Sequence, residues 1–290
     1  MANRNAYTAS SMESKAELEA ALQEIRKWEN NQKDLWFWEK LGRLPFMLLD
    51  KITPRFIQEK LGAAMDELGG YIQNGGRYLI SEKSIASLLA DHARGSGAEG
   101  LPAYPLAVMD RTAEQLAASR AKLAAIQGAS TGIGGLFTLA VDIPAVLGLS
   151  LKIIQEIAIC YGFDPKEKEE RIFAVKVMQF ASSDIVGKRA IIEELAAIGS
   201  ADEDKRQRAM ISQLQGWREV VAVFRDNFGW KKLFQLVPVA GMIFGALINK
   251  GMLQDMAEAA QMLYRKRRIL IRLAESGEQH DKHERLERTT

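Results

Sequence analysis

Cysteine, histidine and strand-forming runs are nearly missing from this chain. Its 290 residues include one cysteine and three histidines. A single cysteine excludes an intrachain disulfide framework and suits a reducing cytoplasm. Ile157, Ala158 and Ile159 beside it mark Cys160 as a buried thiol. His280 and His283 sit in a charged tail, and His92 closes a helix with no evident partner, so no metal site is expected. Alternating Val/Ile/Thr runs long enough for a sheet are absent. Neither sign of charge is in excess: 39 Lys and Arg face 37 Asp and Glu, which gives nucleic acid no bulk attraction. The polar stretch from Met1 to Glu19 has no apolar centre, so a secretory signal is not expected. Walker A, HExxH and GxSxG motifs are all missing. Gly132-Ile-Gly134-Gly-Leu-Phe137 places phenylalanine where a dinucleotide fingerprint needs its third glycine. Ser119 and Lys122 have the S-x-x-K spacing of a nucleophile pair, but on an alanine-rich exposed helix that spacing arises by chance. The chain is expected to use no cofactor, no metal and no nucleic acid, and the balance leans against an enzyme.

What is present is helical periodicity, so the fold class is all-α: a multi-helix globular bundle. Leu18, Leu22, Ile25 and Trp28 mark a first amphipathic helix. Thr53-Pro54 opens another with a capping hydroxyl and a proline in the first turn. A short helix is expected from about Ser81 to His92, then a Gly-rich loop near 95–100. From Asp110 a long alanine-rich helix leads into a glycine-rich segment. Asp164-Pro165-Lys166-Glu167 reads as a variant capping box opening the next helix near 165–182. Helices near 184–198 and after Asp202 follow, then a long C-terminal helix that turns almost wholly polar after Gly277. The expected organisation is a disordered tail over 1–12, one domain over 13–276 and a charged tail over 277–290.

Two apolar elements stand out, 128–165 and 233–249. Gly128 and Gly132, like Gly241 and Gly245, are spaced to thin one helix face for close packing. Both elements are expected to be helical hairpins packed centrally, the first broken near Asp142-Pro144. Their apolar length also approaches the transmembrane threshold of about 20 residues. The sequence leaves open a close-packed core, a membrane contact or a pore-forming hairpin. Trp36 and Trp38, interleaved with Lys40 and Arg43, have the composition of an interfacial helix, or of an aromatic lid on the core. Arg265, Lys266, Arg267 and Arg268 form a basic run. It suits either an anionic lipid surface or a solvated helix face. Asp142 either caps a helix starting near Pro144 or is a buried carboxylate with a partner. Lys152 and Glu156 have i,i+4 spacing for a weak surface pair. With Tyr161 and Asn249, these three residues make the candidate polar site of an alternative reading, a ligand-binding or enzymatic pocket.

Taken in order, several landmarks resemble the EcsC family of bacterial proteins. They are the run 128–135, Ala140-Val-Asp142-Ile-Pro144, Tyr161-Gly162-Phe-Asp164-Pro165, Val237-Pro238-Val-Ala-Gly241 with Gly245 and Asn249, and Tyr264-Arg265 leading to Arg268. The Trp28 helix and Ile52-Thr-Pro54 fit as well, and the resemblance covers about residues 15–275. It implies a cytoplasmic accessory protein, peripheral at the inner face of the cell membrane. Such a protein would support an ABC transporter or a membrane-lipid process, and no reaction is implied.

Overall fold

A computed structural model describes residues 13–32, 70–71, 80–94, 100, 103–131, 139–182, 188, 191–192, 195 and 238–287. These residues contain six helices and no strand. They are α1 (Lys15–Asn31), α2 (Glu82–His92), α3 (Leu106–Thr131), α4 (Leu139–Cys160), α5 (Lys168–Ser182) and α6 (Pro238–Glu287). The Trp36/Trp38/Lys40/Arg43 stretch, the helix at Thr53-Pro54, Gly132 and the helix after Asp202 lie outside the described residues.

Local chemistry sets the helix ends. At α1 the Ser14 side chain accepts from the Glu17 N–H, while the Glu17 carboxylate accepts from the Ser14 N–H at 2.7 Å, a complete capping box. Ser81 caps α2 in the same way through the Ser84 N–H. α3 starts at Leu106, one turn before Asp110, because Pro105 ends the preceding loop and its carbonyl accepts from Val108 and Met109. The Leu106 N–H donates to the distant Glu13 carboxylate, a cap from outside the helix. α4 ends on Gly162, whose φ of 77° is the left-handed value that glycine adopts without a Cβ penalty. Phe163 N–H then reaches Ala158 O and Gly162 N–H reaches Ile159 O, the paired bonds of a Schellman end.

Three expectations change. α4 is continuous from Leu139 through Asp142 and Pro144, so Asp142 lies inside its first turn and does not cap a helix starting at Pro144. α5 starts at Lys168, not 165, because Asp164 accepts from Lys166 N–H at 2.9 Å and forms a tight turn first. From Pro238 onward the second glycine-rich element is the start of one 50-residue helix, with no hairpin. Gly241 and Gly245 are on its first turns, and Gly128 is a buried position of α3.

The core sits where α3, α4 and α5 meet α6, with α1 laid across α6 and α2 against α3 and α4. Ile153, Ile154, Ile157 and Ala158 of α4 and Leu253, Met256, Ala260 and Leu263 of α6 are among its buried residues. α3 runs antiparallel to α6: Asp110 of α3 pairs with Arg265, and Tyr104 just before α3 accepts from Arg272. It also runs antiparallel to α4, since Asp110 meets Tyr161 and Arg120 meets Glu156. Arg268 holds α6 to the end of α4. Its Nε donates to Tyr161 O at 2.7 Å and its Nη2 to Gly162 O at 3.1 Å, with the residue 6% exposed. Each charge-assisted bond of this kind is worth about 1.5–3 kcal/mol. Arg268→Met keeps the stem but loses both donors. It is expected to lower unfolding free energy by about 3 kcal/mol in urea titrations. A change below about 0.5 kcal/mol would show that the cap is not a stability determinant.

Candidate functional site

Glu156 of α4 and Tyr161 just past its end go to separate partners. Glu156, 2% exposed, is held by two parallel bonds from Arg120, Nε–Oε2 at 2.7 Å and Nη2–Oε1 at 2.6 Å. It is therefore not the solvated partner of Lys152 that the i,i+4 spacing suggested; Lys152 is half-buried on the same helix. The Tyr161 hydroxyl donates to Asp110 Oδ1 at 2.5 Å, and Arg265 Nε donates to Asp110 Oδ2 at 3.0 Å. Burial raises the Asp110 pKa above its ordinary 3.8, against the pull of Tyr161 and Arg265. Burial and the Asp110 charge push the Tyr161 phenol well above its usual range, so it stays a neutral donor.

Asn249 lies elsewhere. α6 runs parallel to α4, with Arg268 at the Tyr161 carbonyl and the Tyr264 ring tilted against Phe163 at a centroid distance of 5.4 Å. Counting back at 1.5 Å per residue puts Asn249 level with roughly residues 142–150, about 10 Å or more along the axis from Glu156. The Asp142 side chain is outside the described residues. Among Lys152, Glu156, Tyr161 and Asn249 no two share a hydrogen bond. Among the described residues no cluster of three or more His, Cys, Asp or Glu is arranged to hold a metal ion.

The basic run of α6 faces inward. Arg265 pairs with Asp110 and with Glu24 at 3.4 Å, and Lys266 Nζ meets Glu29 at 2.6 Å. Arg267 holds Glu170 through two bonds of 2.7 and 2.6 Å and lies 4.2 Å from the ring centroids of both Phe163 and Phe173. Arg268 is consumed by the α4 end, and Arg272 by Glu13 and the Tyr104 carbonyl. α1 supplies Glu24 and Glu29, with Glu13 just ahead of it, so this helix is the acidic strap over the run. Neither sequence reading, a solvated face or a surface for headgroups, anticipated that these cations would be matched within the fold.

Free basic and apolar surface lies at the opposite end of the bundle. Ile126 and Leu123 of α3 are 67% and 46% exposed, and Leu247 of α6 is 60% exposed. The Asp110–Arg265 pairing, continued along the helices, brings Ile126 level with about residue 249 of α6. Lys122 and Lys250 are exposed at the same level. No Asp or Glu occurs over 115–131 of α3 or 238–254 of α6, and Asp142 is the one carboxylic acid over 139–155 of α4. That scarcity of acids was the sequence signal for this end, and the glycine pattern drew attention away from it.

Two smaller residues also find their places. His92 Nδ1 lies 2.9 Å from Thr112 Oγ1, whose own proton goes to Val108 O at 2.8 Å. The imidazole is therefore the donor, tying α2 to α3. Cys160 is buried, and desolvation followed by the Glu156 charge raises its pKa far beyond the reactive range. Thiol-specific reagents are expected to leave Cys160 unmodified in the folded protein and to titrate one thiol in urea. Rapid reaction without denaturant would contradict that burial. For Asp110, a raised folded pKa favours the fold at low pH, and that contribution fades as pH rises through the folded value. The stability advantage of wild type over Asp110→Asn is therefore expected to shrink as pH rises from 3.8. An advantage that grows over that range would reverse the assignment.

Two known proteins resemble the chain, one over nearly its whole length and one over little more than half of it. It is 54% identical over 267 residues to the uncharacterized protein YdbA of Bacillus subtilis (strain 168), covering 91% of this chain and 97% of that protein. It is 30% identical over 162 residues to Protein EcsC of the same organism, covering 56% of this chain and 64% of that one. No solved structure matches it. Residues 19–269 match the EcsC protein family. With the helical bundle, the Arg268 cap on the Tyr161-Gly162 turn and α6 starting at Pro238 in place, this chain belongs to the EcsC protein family.

Proposed function

We propose that this protein is a non-enzymatic helical accessory that attaches peripherally to an anionic membrane surface through the end of its bundle that exposes Leu123, Ile126 and Leu247. In this reading it works at the cytoplasmic face of the cell membrane. There it would serve a membrane process such as an ABC transporter or lipid handling. The observation that carries the reading is Leu123, Ile126 and Leu247, exposed on adjacent helices beside exposed Lys122 and Lys250, with no carboxylate over 115–131 of α3 or 238–254 of α6.

The chemistry of that end matches an anionic bilayer. Apolar side chains enter the headgroup boundary and lysines stay among the phosphates. Burying an exposed Leu or Ile side chain yields about 1.5–3 kcal/mol, and each lysine near an anionic surface adds about 1 kcal/mol. Three apolar residues and two lysines together support reversible attachment. No helix among the described residues is long and apolar enough to cross a membrane. Glu156, Tyr161 and the basic run of α6 are bound within the fold, which leaves the other end as the free surface.

Flotation tests this. The protein is expected to float with vesicles of phosphatidylcholine mixed with phosphatidylglycerol, and to stay behind with phosphatidylcholine alone. Joint Lys122→Glu and Lys250→Glu substitution is expected to weaken binding at least about tenfold, since a little over 1 kcal/mol is one decade in affinity. Ile126→Asp with Leu247→Asp should do the same. Leu270→Ser, at an exposed apolar residue near the ion-paired end, should change nothing. Wild type remaining in the soluble fraction with both vesicle types would sink the proposal.

A further inference from the structure

We propose that residues 238–250, the first part of α6, form the segment that enters the membrane surface, and that it does so by lifting from the bundle about Gly251. This rests on the docking reading above and names the part of the surface that moves.

Four observations converge on that segment. First, Gly251 is required neither by packing nor by backbone strain. A Cβ built there meets nothing within 4 Å, and no positive φ is recorded at this position. Glycine within a helix is destabilising relative to alanine because it leaves more backbone freedom. Gly277 is equally open, but it lies beyond the last clamp, whereas Gly251 lies just ahead of the first.

Second, the two sides of Gly251 are held differently. On its C-terminal side Glu258 accepts from Trp28 Nε1 at 2.6 Å, and the basic run and Arg272 are tied to α1, α3, α4 and α5. On the N-terminal side, among the described residues, no ion pair or side-chain hydrogen bond holds 246–250 to the bundle. Lys250 is exposed there and Leu247 faces solvent.

Third, the closed position carries unpaired polar groups. Asn249 is 0% exposed with both Oδ1 and Nδ2 lacking partners, and Ser150 Oγ on α4 is also buried and unpaired. Neither group has an ion pair to offset the loss of water. Buried amides without partners oppose burial. Lifting the segment returns the Asn249 amide to water or to lipid phosphates and ester carbonyls.

Fourth, the segment Pro238–Lys250 reads PVAGMIFGALINK, with its single charge at the end nearest the hinge. It is about 20 Å long as a helix, too short for a hydrocarbon core of about 30 Å. It is long enough to lie along the interface with Lys250 at headgroup level.

The test uses the full chain and the same anionic vesicles. Native-state hydrogen exchange without lipid is expected to show amides of 243–250 exchanging at least tenfold faster than those of 256–270; equal protection would overturn the hinge. Gly251→Ala is expected to raise the midpoint of thermal unfolding and to slow exchange over 243–250. It should also weaken vesicle binding at least fivefold. An environment-sensitive fluorophore on Ala246→Cys, with Cys160 unlabelled in the core, should shift to the blue on vesicles and be quenched by nitroxide on the lipid chains. That quenching should fall when Gly251→Ala is added. If Gly251→Ala stabilises the protein and leaves binding and quenching unchanged, the hinge fails while peripheral docking stands. If wild type does not bind the vesicles at all, both fail.

Discussion

Arg265, Lys266, Arg267, Arg268 and Arg272 put five cations within eight residues of α6, turned towards the other helices. Cations in such a position must be matched within the fold or stay in water. A buried pair that loses one partner costs about 3–5 kcal/mol, against about 0–1 kcal/mol for an exposed pair. Each neighbour of α6 provides its own match: Glu24 and Glu29 from α1, Asp110 from α3, the Tyr161 and Gly162 carbonyls from the end of α4, and Glu170 from α5. Since the partners differ in kind and spacing, sliding any helix by one turn would leave a guanidinium unmatched. The run thus fixes the register of the bundle as well as its cohesion. Apolar packing alone, with alanines and isoleucines along α3, α4 and α6, would tolerate several registers.

Placing the ion pairs at one end leaves the other end to different physics. Towards the glycine-rich segments, past Glu156 on α4 and Gly251 on α6, the last ion pair among the described residues is Arg120 with Glu156. Protein stability is uneven when clamps are uneven, and regions with few specific contacts open first. Here the loosely held end also bears the exposed Ile126 and Leu247, the exposed lysines and the unpaired Asn249 amide. Few specific contacts and exposed apolar surface coincide at that end.

The helices were legible because their signals are local. Ser14 with Glu17, Ser81, and the spacing Leu18, Leu22, Ile25 all lie within one or two turns, and the structure follows them. Family membership was legible because ordered landmarks persist across the chain. The partners of charged groups were not. Glu156 lies four residues from Lys152, yet its partner is Arg120, 36 positions away. Arg267 finds Glu170 across 97 positions. Periodicity shows which face of a helix is buried; it does not show which distant carboxylate will be waiting there. The same blindness made Arg265–Arg268 read as free charge, when its nearest carboxylates in space come from α1, α3 and α5. At Asp142-Pro144 a strong local breaker signal was overridden, since proline near a helix start removes few bonds and the preceding turn can still form.

The length of α6 constrains how the two ends can serve one function. At 50 residues it extends about 75 Å, more than twice the hydrocarbon thickness of a bilayer. Its acid-free and ion-paired parts therefore cannot share one depth unless the helix lies along the membrane plane. Lying flat would press the carboxylates around the basic run towards anionic lipid. Glu24 is exposed, and the last turns carry Glu275, Glu278 and Asp281 as well. Like charge disfavours that approach, whereas the lysines of the other end favour theirs. In the docking proposed above, the charge distribution would favour a tilted pose, with the apolar end in the headgroups and the clamped end in water. In that pose the C-terminal turns of α6 would stand tens of ångströms from the lipid.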